Sequence, residues 1–279
     1  MRLLAGTSGF SYPEWKGSFY PADLADRGLL TFYAGRLPTV EINNTFYRMP
    51  RADVLGRWTE QVPEAFRFVL KAPQRITHRE RLAGSADSVA YFWKNATALG
   101  ERLGPVLFQL PPSFKRNVDL LRRFLGELPR GMRAAFELRH PSWAAPEVEE
   151  ALREAGAAWC VADTDPAPRA PDRAAGGAAA PETSAPDTAM PVTADWGYLR
   201  LRRAAYSDAE LAGWAERIRA QPWREAYVFF KHEEAGAAPQ MALRMAGLLA
   251  LAEAAAPAAS EAAAPAPAAA PPESETTWR

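Results

Sequence analysis

Cysteine is nearly absent: Cys160 is the one thiol in 279 residues. It cannot form a disulfide within the chain, and a cysteine-rich zinc site is excluded. It lies in the apolar run Ala157-Ala158-Trp159-Cys160-Val161, where a small buried hydrophobe is expected rather than a nucleophile. Net charge is absent too, with 33 basic and 33 acidic side chains. A globally basic nucleic-acid binder is therefore disfavoured, although a local basic patch is still allowed. Long apolar runs are missing. None approaches the ~20 residues of a membrane span, and the stretch after Met1 is too short for the core of a secretory leader. The expectation is a cytoplasmic protein with no membrane partner.

Two segments lack large apolar residues. Positions 166–191 consist mainly of Pro, Ala, Gly, Ser, Thr and Asp, with Met190 the exception, and positions 253–279 are Ala/Pro-rich. Neither can bury enough surface to offset the entropy of ordering it. They are expected to be a disordered insertion and a disordered tail. The remainder, 1–252, is expected to form one domain interrupted by 166–191.

That remainder alternates between two patterns. Short β-rich runs fall at 3–6, 40–46, 66–71, 105–110, 134–139, 158–163, 198–202 and 227–231. Helical spacing with start and stop signals fills most of the intervals. Residues 23–37 end before Pro38, and residues 85–103 end near Gly104-Pro105. Asn117 is placed to cap 118–128, Pro146 to open a helix ending before Gly156, and Ser207 with Glu210 to form a capping box over 208–220. Pro239 is expected to open a last helix through Leu251. The sixth helix has no clear sequence, because the low-complexity insertion occupies its place. Eight strands alternating with helices predict an α/β fold, a parallel (β/α)₈ TIM-like barrel.

Alternate strand residues face opposite sides, towards the helices or into the barrel. In Tyr198-Leu199-Arg200-Leu201-Arg202 the leucines suit the helix side, so Arg200 and Arg202 point inward. The same parity turns Glu137 and Arg139 inward on strand five, and Glu41, Asn43 and Thr45 on strand two. Strand three ends at Lys71, strand four offers Gln109, strand six ends at Asp163, and strand eight ends at Lys231-His232. These polar positions lie late in their strands, at the C-terminal mouth where barrel active sites are built. Cations outnumber carboxylates there. The guanidinium fork suits phosphate or carboxylate, so a small anionic ligand is expected. Aromatic residues surround the same end, including Phe46, Tyr47 and Trp143, and some could stack on a base or sugar ring.

Several motifs together resemble the YecE-like family, DUF72. They are Gly6-Thr7-Ser8-Gly9-Phe10 with Trp15 and Gly17, Glu41-Ile42-Asn43-Asn44-Thr45-Phe46-Tyr47, and Lys71-Ala72-Pro73 with His78. Phe108-Gln109-Leu110-Pro111-Pro112, Phe136-Glu137-Leu138-Arg139-His140-Pro141-Ser142-Trp143 and Val161-Ala162-Asp163 continue the likeness to about Leu251. The resemblance implies a TIM-like barrel and assigns no reaction. Kinship with metal-dependent barrel nucleases and sugar isomerases is an analogy of fold only. Arg202-Arg203-Ala204 stands where the family commonly has a His-Gly-like pair, so no role for that histidine carries over.

Three chemistries are compatible with these residues. Metal-free acid–base catalysis of a hydrolase, lyase or isomerase type would use Glu137 as base, Lys71 or His78 as acid, and Asp163 nearby. Asn43, Tyr47, Gln109, Arg139, Trp143, Arg200, Arg202 and Lys231 would bind the ligand, with no cofactor and no metal. A non-catalytic nucleic-acid or metabolite binder would use the same basic mouth. A metal-dependent phosphodiesterase or sugar isomerase would draw on Glu137, His140, Asp163 and His232. In that case two of the four point away by parity.

Overall fold

The computed structural model describes residues 1–48, 51–164, 189–231 and 236–255. Eight parallel strands close into a barrel in sequential order: β1 (Arg2–Ser8), β2 (Thr39–Ile42), β3 (Arg67–Lys71), β4 (Leu103–Gln109), β5 (Ala134–Glu137), β6 (Ala158–Asp163), β7 (Trp196–Leu201) and β8 (Glu225–Phe230). Closure is direct, since β1 pairs with β8 from Arg2 opposite Glu225 to Thr7 opposite Phe230. A closed barrel has no exposed strand edge, and every strand is buried on both faces.

Two apolar layers follow from strand parity. Leu4, Val69, Leu107, Ala135, Tyr198 and Phe229 belong to the interior layer. Val40, Phe68, Phe108, Phe136, Leu199 and Val228 face the helices. Cys160 sits in the interior layer, 3% exposed, and burial pushes its thiol pKa well up. That is the chemistry of an inert core residue.

Helices α1 (Leu29–Ala34), α2 (Asn44–Tyr47), α3 (Ala52–Thr59), α4 (Ala86–Ala96), α5 (Val118–Glu127), α6 (Pro146–Glu154), α7 (Asp208–Arg219) and α8 (Ala237–Ala255) connect or cover the strands. The predicted caps form. Asn117 Oδ1 accepts from the Leu120 amide, Ser207 and Glu210 make the capping box, and Pro146 sits in the first turn of α6. Gly156 adopts φ +63° just beyond α6. No described helix is long and apolar enough to cross a membrane.

Three boundaries differ from the sequence expectation. The second strand stops at Ile42, and Asn44–Tyr47 turn into α2. The helix expected to end at Gly104-Pro105 ends earlier, near Gly100, whose φ of +53° breaks the helical path. Gly104 lies instead inside β4, where an added Cβ would stand 3.1 Å from the Phe68 carbonyl oxygen, at the register shift between β3 and β4. Finally, α8 begins two residues before Pro239 and runs to Ala255, past the expected start of the tail. The expected insertion falls almost wholly at 165–188 and the remaining tail at 256–279, both outside the described residues.

Candidate functional site

The interior polar residues meet in one connected cluster at the C-terminal mouth. Arg200 is at its centre, 1% exposed on β7. One guanidinium nitrogen donates to Glu41 Oε1 at 2.8 Å, and the other donates to Glu137 Oε2 at 2.5 Å. These two carboxylates come from strands on different sides of the barrel, so Arg200 ties β2 and β5 to β7. Its Nε is buried and makes no hydrogen bond among the described residues.

Each carboxylate has further donors. Glu41 Oε1 also accepts from Ser8 Oγ at 2.8 Å and Asn43 Nδ2 at 3.1 Å, and its Oε2 accepts from the Tyr198 hydroxyl at 2.6 Å. Glu137 Oε2 accepts from Gln109 Nε2 at 2.8 Å, and its Oε1 lies 3.4 Å from Arg139 Nε. Burial alone would raise both carboxyl pKa values. The charge of Arg200 and these hydrogen bonds outweigh it, bringing Glu41 down to about 2 and Glu137 below its ordinary value. Both are carboxylates at neutral pH, and a carboxylate so well held is a poor proton acceptor.

Lys71 is the group of different character. It is nearly buried at the end of β3, and its Nζ donates to Gln109 Oε1 at 2.8 Å. Nζ also lies 3.9 Å from the centre of the Phe46 ring. Burial and the nearby Arg200 lower its pKa to about 8, against the pull of Glu41 and Glu137. Thr45, on α2, braces this strand end by donating to the Lys71 carbonyl at 2.6 Å. Thr45 was expected to sit on a strand. It stands instead on the first turn after Ile42, where its hydroxyl meets the backbone carbonyls of Ile42 and Lys71.

His78 stands on a single π-helical turn, Arg75–Arg79. Its ring meets the Phe46 ring edge-on at 4.9 Å, and its Nδ1 pairs with Thr77 Oγ1 at 2.9 Å. Burial, Lys71, Arg139 and Arg81 lower its pKa, so the imidazole is neutral at pH 7. Arg202 follows β7, is half-buried, and shares the field of Arg200, Glu137, Glu41 and Arg139. Lys231, half-buried one residue beyond β8, continues the parity of Phe229.

Three predicted site residues lie elsewhere. Asp163 shares the outward parity of Val161, and its Oδ2 accepts from the Tyr206 hydroxyl at 2.9 Å in the layer between barrel and helices. The sequence placed it in the mouth because it ends its strand, but its parity is opposite to that of Cys160. Trp143 is 1% exposed, with its indole N–H held by the Phe114 carbonyl at 2.6 Å, and serves as packing under a loop. Tyr47 is 74% exposed and outside the cluster. Arg200 is in the mouth as predicted, but both terminal nitrogens of its fork are engaged by protein carboxylates.

Ser8 and Tyr198 were missed. Ending β1 at Gly6 hid Ser8, and extending the parity of Arg200 backwards by two residues finds Tyr198. Among the described residues, no three His, Cys, Asp or Glu side chains converge to hold a metal ion. His140 accepts from the Ser142 amide at 3.0 Å, capping its own loop, and His232 lies outside the described residues.

The chain and its barrel match known proteins. The family model "Protein of unknown function DUF72" covers residues 4–269, and the chain belongs to that family. The chain is 34% identical over 149 residues to UPF0759 protein YecE of Escherichia coli strain K12, covering 53% of this chain and 52% of YecE. It is 33% identical over 145 residues to UPF0759 protein YunF of Bacillus subtilis strain 168, covering 48% and 50%. The chain thus spans about half the length of the curated relatives it matches. A crystal structure of a DUF72 family protein from Thermotoga maritima superposes with a TM-score of 0.71 at 28% identity, over 90% of this chain and 100% of that one. A second, from Enterococcus faecalis, reaches 0.68 at 23% identity over 89% and 95%, a likeness of fold.

Proposed function

We propose that the mouth binds a small anionic ligand, phosphorylated or nucleotide-like, and that Lys71 moves a proton on it without a metal. The observation that carries this reading is the division of labour among the charges. Glu41, Glu137 and Arg200 satisfy one another inside the barrel. Lys71, Arg139 and Arg202 lie around them and give the mouth an excess of positive charge. Arg139, 39% exposed at its side chain, is open to a ligand oxygen.

Lys71 suits proton transfer because a pKa of about 8 keeps both its forms populated near neutral pH. As the ammonium it donates to a leaving oxygen or a developing enolate. As the amine it removes a proton made acidic by an adjacent carbonyl. Gln109 holds Nζ in place through either half of such a cycle. The proposed chemistry is of a lyase, isomerase or hydrolase type, with Glu137 orienting the site rather than acting as its base.

A thermal-shift and calorimetric panel tests the reading. Inorganic phosphate, sugar phosphates, nucleotides and short oligonucleotides are compared on wild type, Arg139→Ala and Lys71→Met. Stabilisation by a phosphorylated small molecule, weakened in both variants, is expected. Equal stabilisation of all three proteins contradicts the assignment. Tight oligonucleotide binding with a steep salt dependence and no turnover points instead to a nucleic-acid binding module.

A further inference from the structure

An open cleft of about 300 Å³ lies beside the mouth, bordered by Tyr47 at the end of α2 and Tyr91 on α4. Four large hydrophobic side chains are prominently exposed among the described residues, and two of them are these tyrosines, at 74% and 55%. Two aromatic side chains left in solvent at one cleft mark a surface suited to a ligand. Arg75 and Arg79 of the π-helical turn border the same cleft, as does Asp87 in the first turn of α4. Arg75 is held by Glu80 at 2.6 Å. The cleft therefore offers π faces together with donors and a carboxylate acceptor. That combination fits a flat ring with a polar edge better than a purely apolar group.

The cleft and the mouth share a wall. Phe46 lines the cleft, while its ring also packs against Lys71 Nζ and His78. One aromatic side chain thus separates a stacking surface from the lysine of the anion site.

We propose that this cleft is a nucleobase subsite, so that the ligand of the mouth is a nucleotide with its base against Tyr47 and Tyr91 and its phosphate towards Lys71 and Arg139. This rests on the anion-binding reading of the mouth, and the test separates the two. Calorimetric titrations compare the four ribonucleoside 5′-monophosphates, ribose 5-phosphate and the four nucleosides on wild type, Tyr91→Ala and Tyr47→Ala. Both tyrosines are exposed, so the variants fold.

The best nucleotide is expected to bind at least about tenfold more tightly than ribose 5-phosphate, the scale of one base–aromatic stack. Tyr91→Ala is expected to erase most of that advantage and leave ribose 5-phosphate unchanged. Equal binding of nucleotide and sugar phosphate by wild type, or nucleotide binding indifferent to both substitutions, overturns the subsite. A nucleoside that binds through Tyr91 while no phosphate binds upholds the subsite and removes the anion reading. Failure of all three ligand classes removes both.

Discussion

Gln109 joins Lys71 to Glu137. Its amide oxygen accepts from Lys71 Nζ and its amide nitrogen donates to Glu137 Oε2, both at 2.8 Å. The two neighbours fix which way the amide points, because an ammonium can only donate and a carboxylate can only accept. Lys71 is therefore coupled to the buried ion cluster through one neutral side chain. Gln109→Glu places a carboxylate against the ammonium and raises the Lys71 pKa. Gln109→Leu removes its acceptor and lowers it. NMR titration of isotopically labelled lysine measures both shifts, and movement in the same direction for both variants contradicts the coupling.

Arg200 neutralises two buried carboxylates, and its removal leaves both without their cation. Arg200→Met is expected to destabilise the fold by about 3–5 kcal/mol, the usual scale for breaking a buried ion pair. Replacing the whole set by apolar residues (Glu41→Met, Glu137→Leu, Arg200→Met) should recover part of that loss, since it removes the buried charges but leaves Ser8, Tyr198 and Gln109 without their acceptors. Denaturant midpoints compare the proteins. A triple variant no more stable than the single one contradicts this account of the cluster.

Glu41 sets an acid limit. Its pKa in the folded protein, about 2, is below the ordinary 4.5. The unfolded chain therefore binds the proton first, and stability falls as pH drops from about 4.5 towards 2. The loss is on the order of 3 kcal/mol for this fully buried group. Lys71 acts with the same slope at the other end. Its folded pKa of about 8 is below 10.5, so the unfolded chain again holds more protons at this group, and the contribution of Lys71 to stability rises with pH between about 8 and 10.5, while Cys160 and the buried tyrosines, whose pKa values are raised, act with the opposite sign. Urea unfolding as a function of pH measures both arms. The alkaline arm is read as the stability difference between wild type and Lys71→Met, which is expected to grow between about pH 8 and 10.5, while the acid fall persists in the variant.

The Asp163–Tyr206 hydrogen bond provides the control. Tyr206→Phe removes a donor from a buried carboxylate and is expected to destabilise the protein by about 1–3 kcal/mol. Ligand affinity at the mouth should stay within twofold of wild type, because this pair faces the helices. A large affinity loss in a folded variant returns Asp163 to the site.

Strand parity explains how much of this was legible beforehand. Period-two alternation with large apolar residues on one side placed Glu41, Lys71, Gln109, Glu137 and Arg200 inward, and these five form the centre of the cluster. Parity could not show that the guanidinium of Arg200 bridges Glu41 and Glu137, since that pairing joins residues 159 and 63 positions apart in sequence. The errors came where a strand ended. Residues 40–46 read as one run, yet the backbone turns helical after Ile42, and Thr45 braces the end of β3 through the Lys71 carbonyl and does not join the polar cluster. Asp163 ends its strand as Lys71 does but has the opposite parity. Trp143 looked available because it follows a strand, and only packing against Phe114 shows that it is enclosed. The π-helical turn that carries His78 left no periodic signal in five residues.

The pKa of Lys71 tests the central claim most directly. The chain has five lysines, so the labelled resonance can be assigned by comparison with Lys71→Met. We predict a midpoint near 8 in the free protein, moving upward when inorganic phosphate or ribose 5-phosphate binds, because an added anion favours the ammonium. A midpoint near the ordinary 10.5, or one that saturating phosphate and sugar phosphate leave in place, contradicts an anion site built around this lysine.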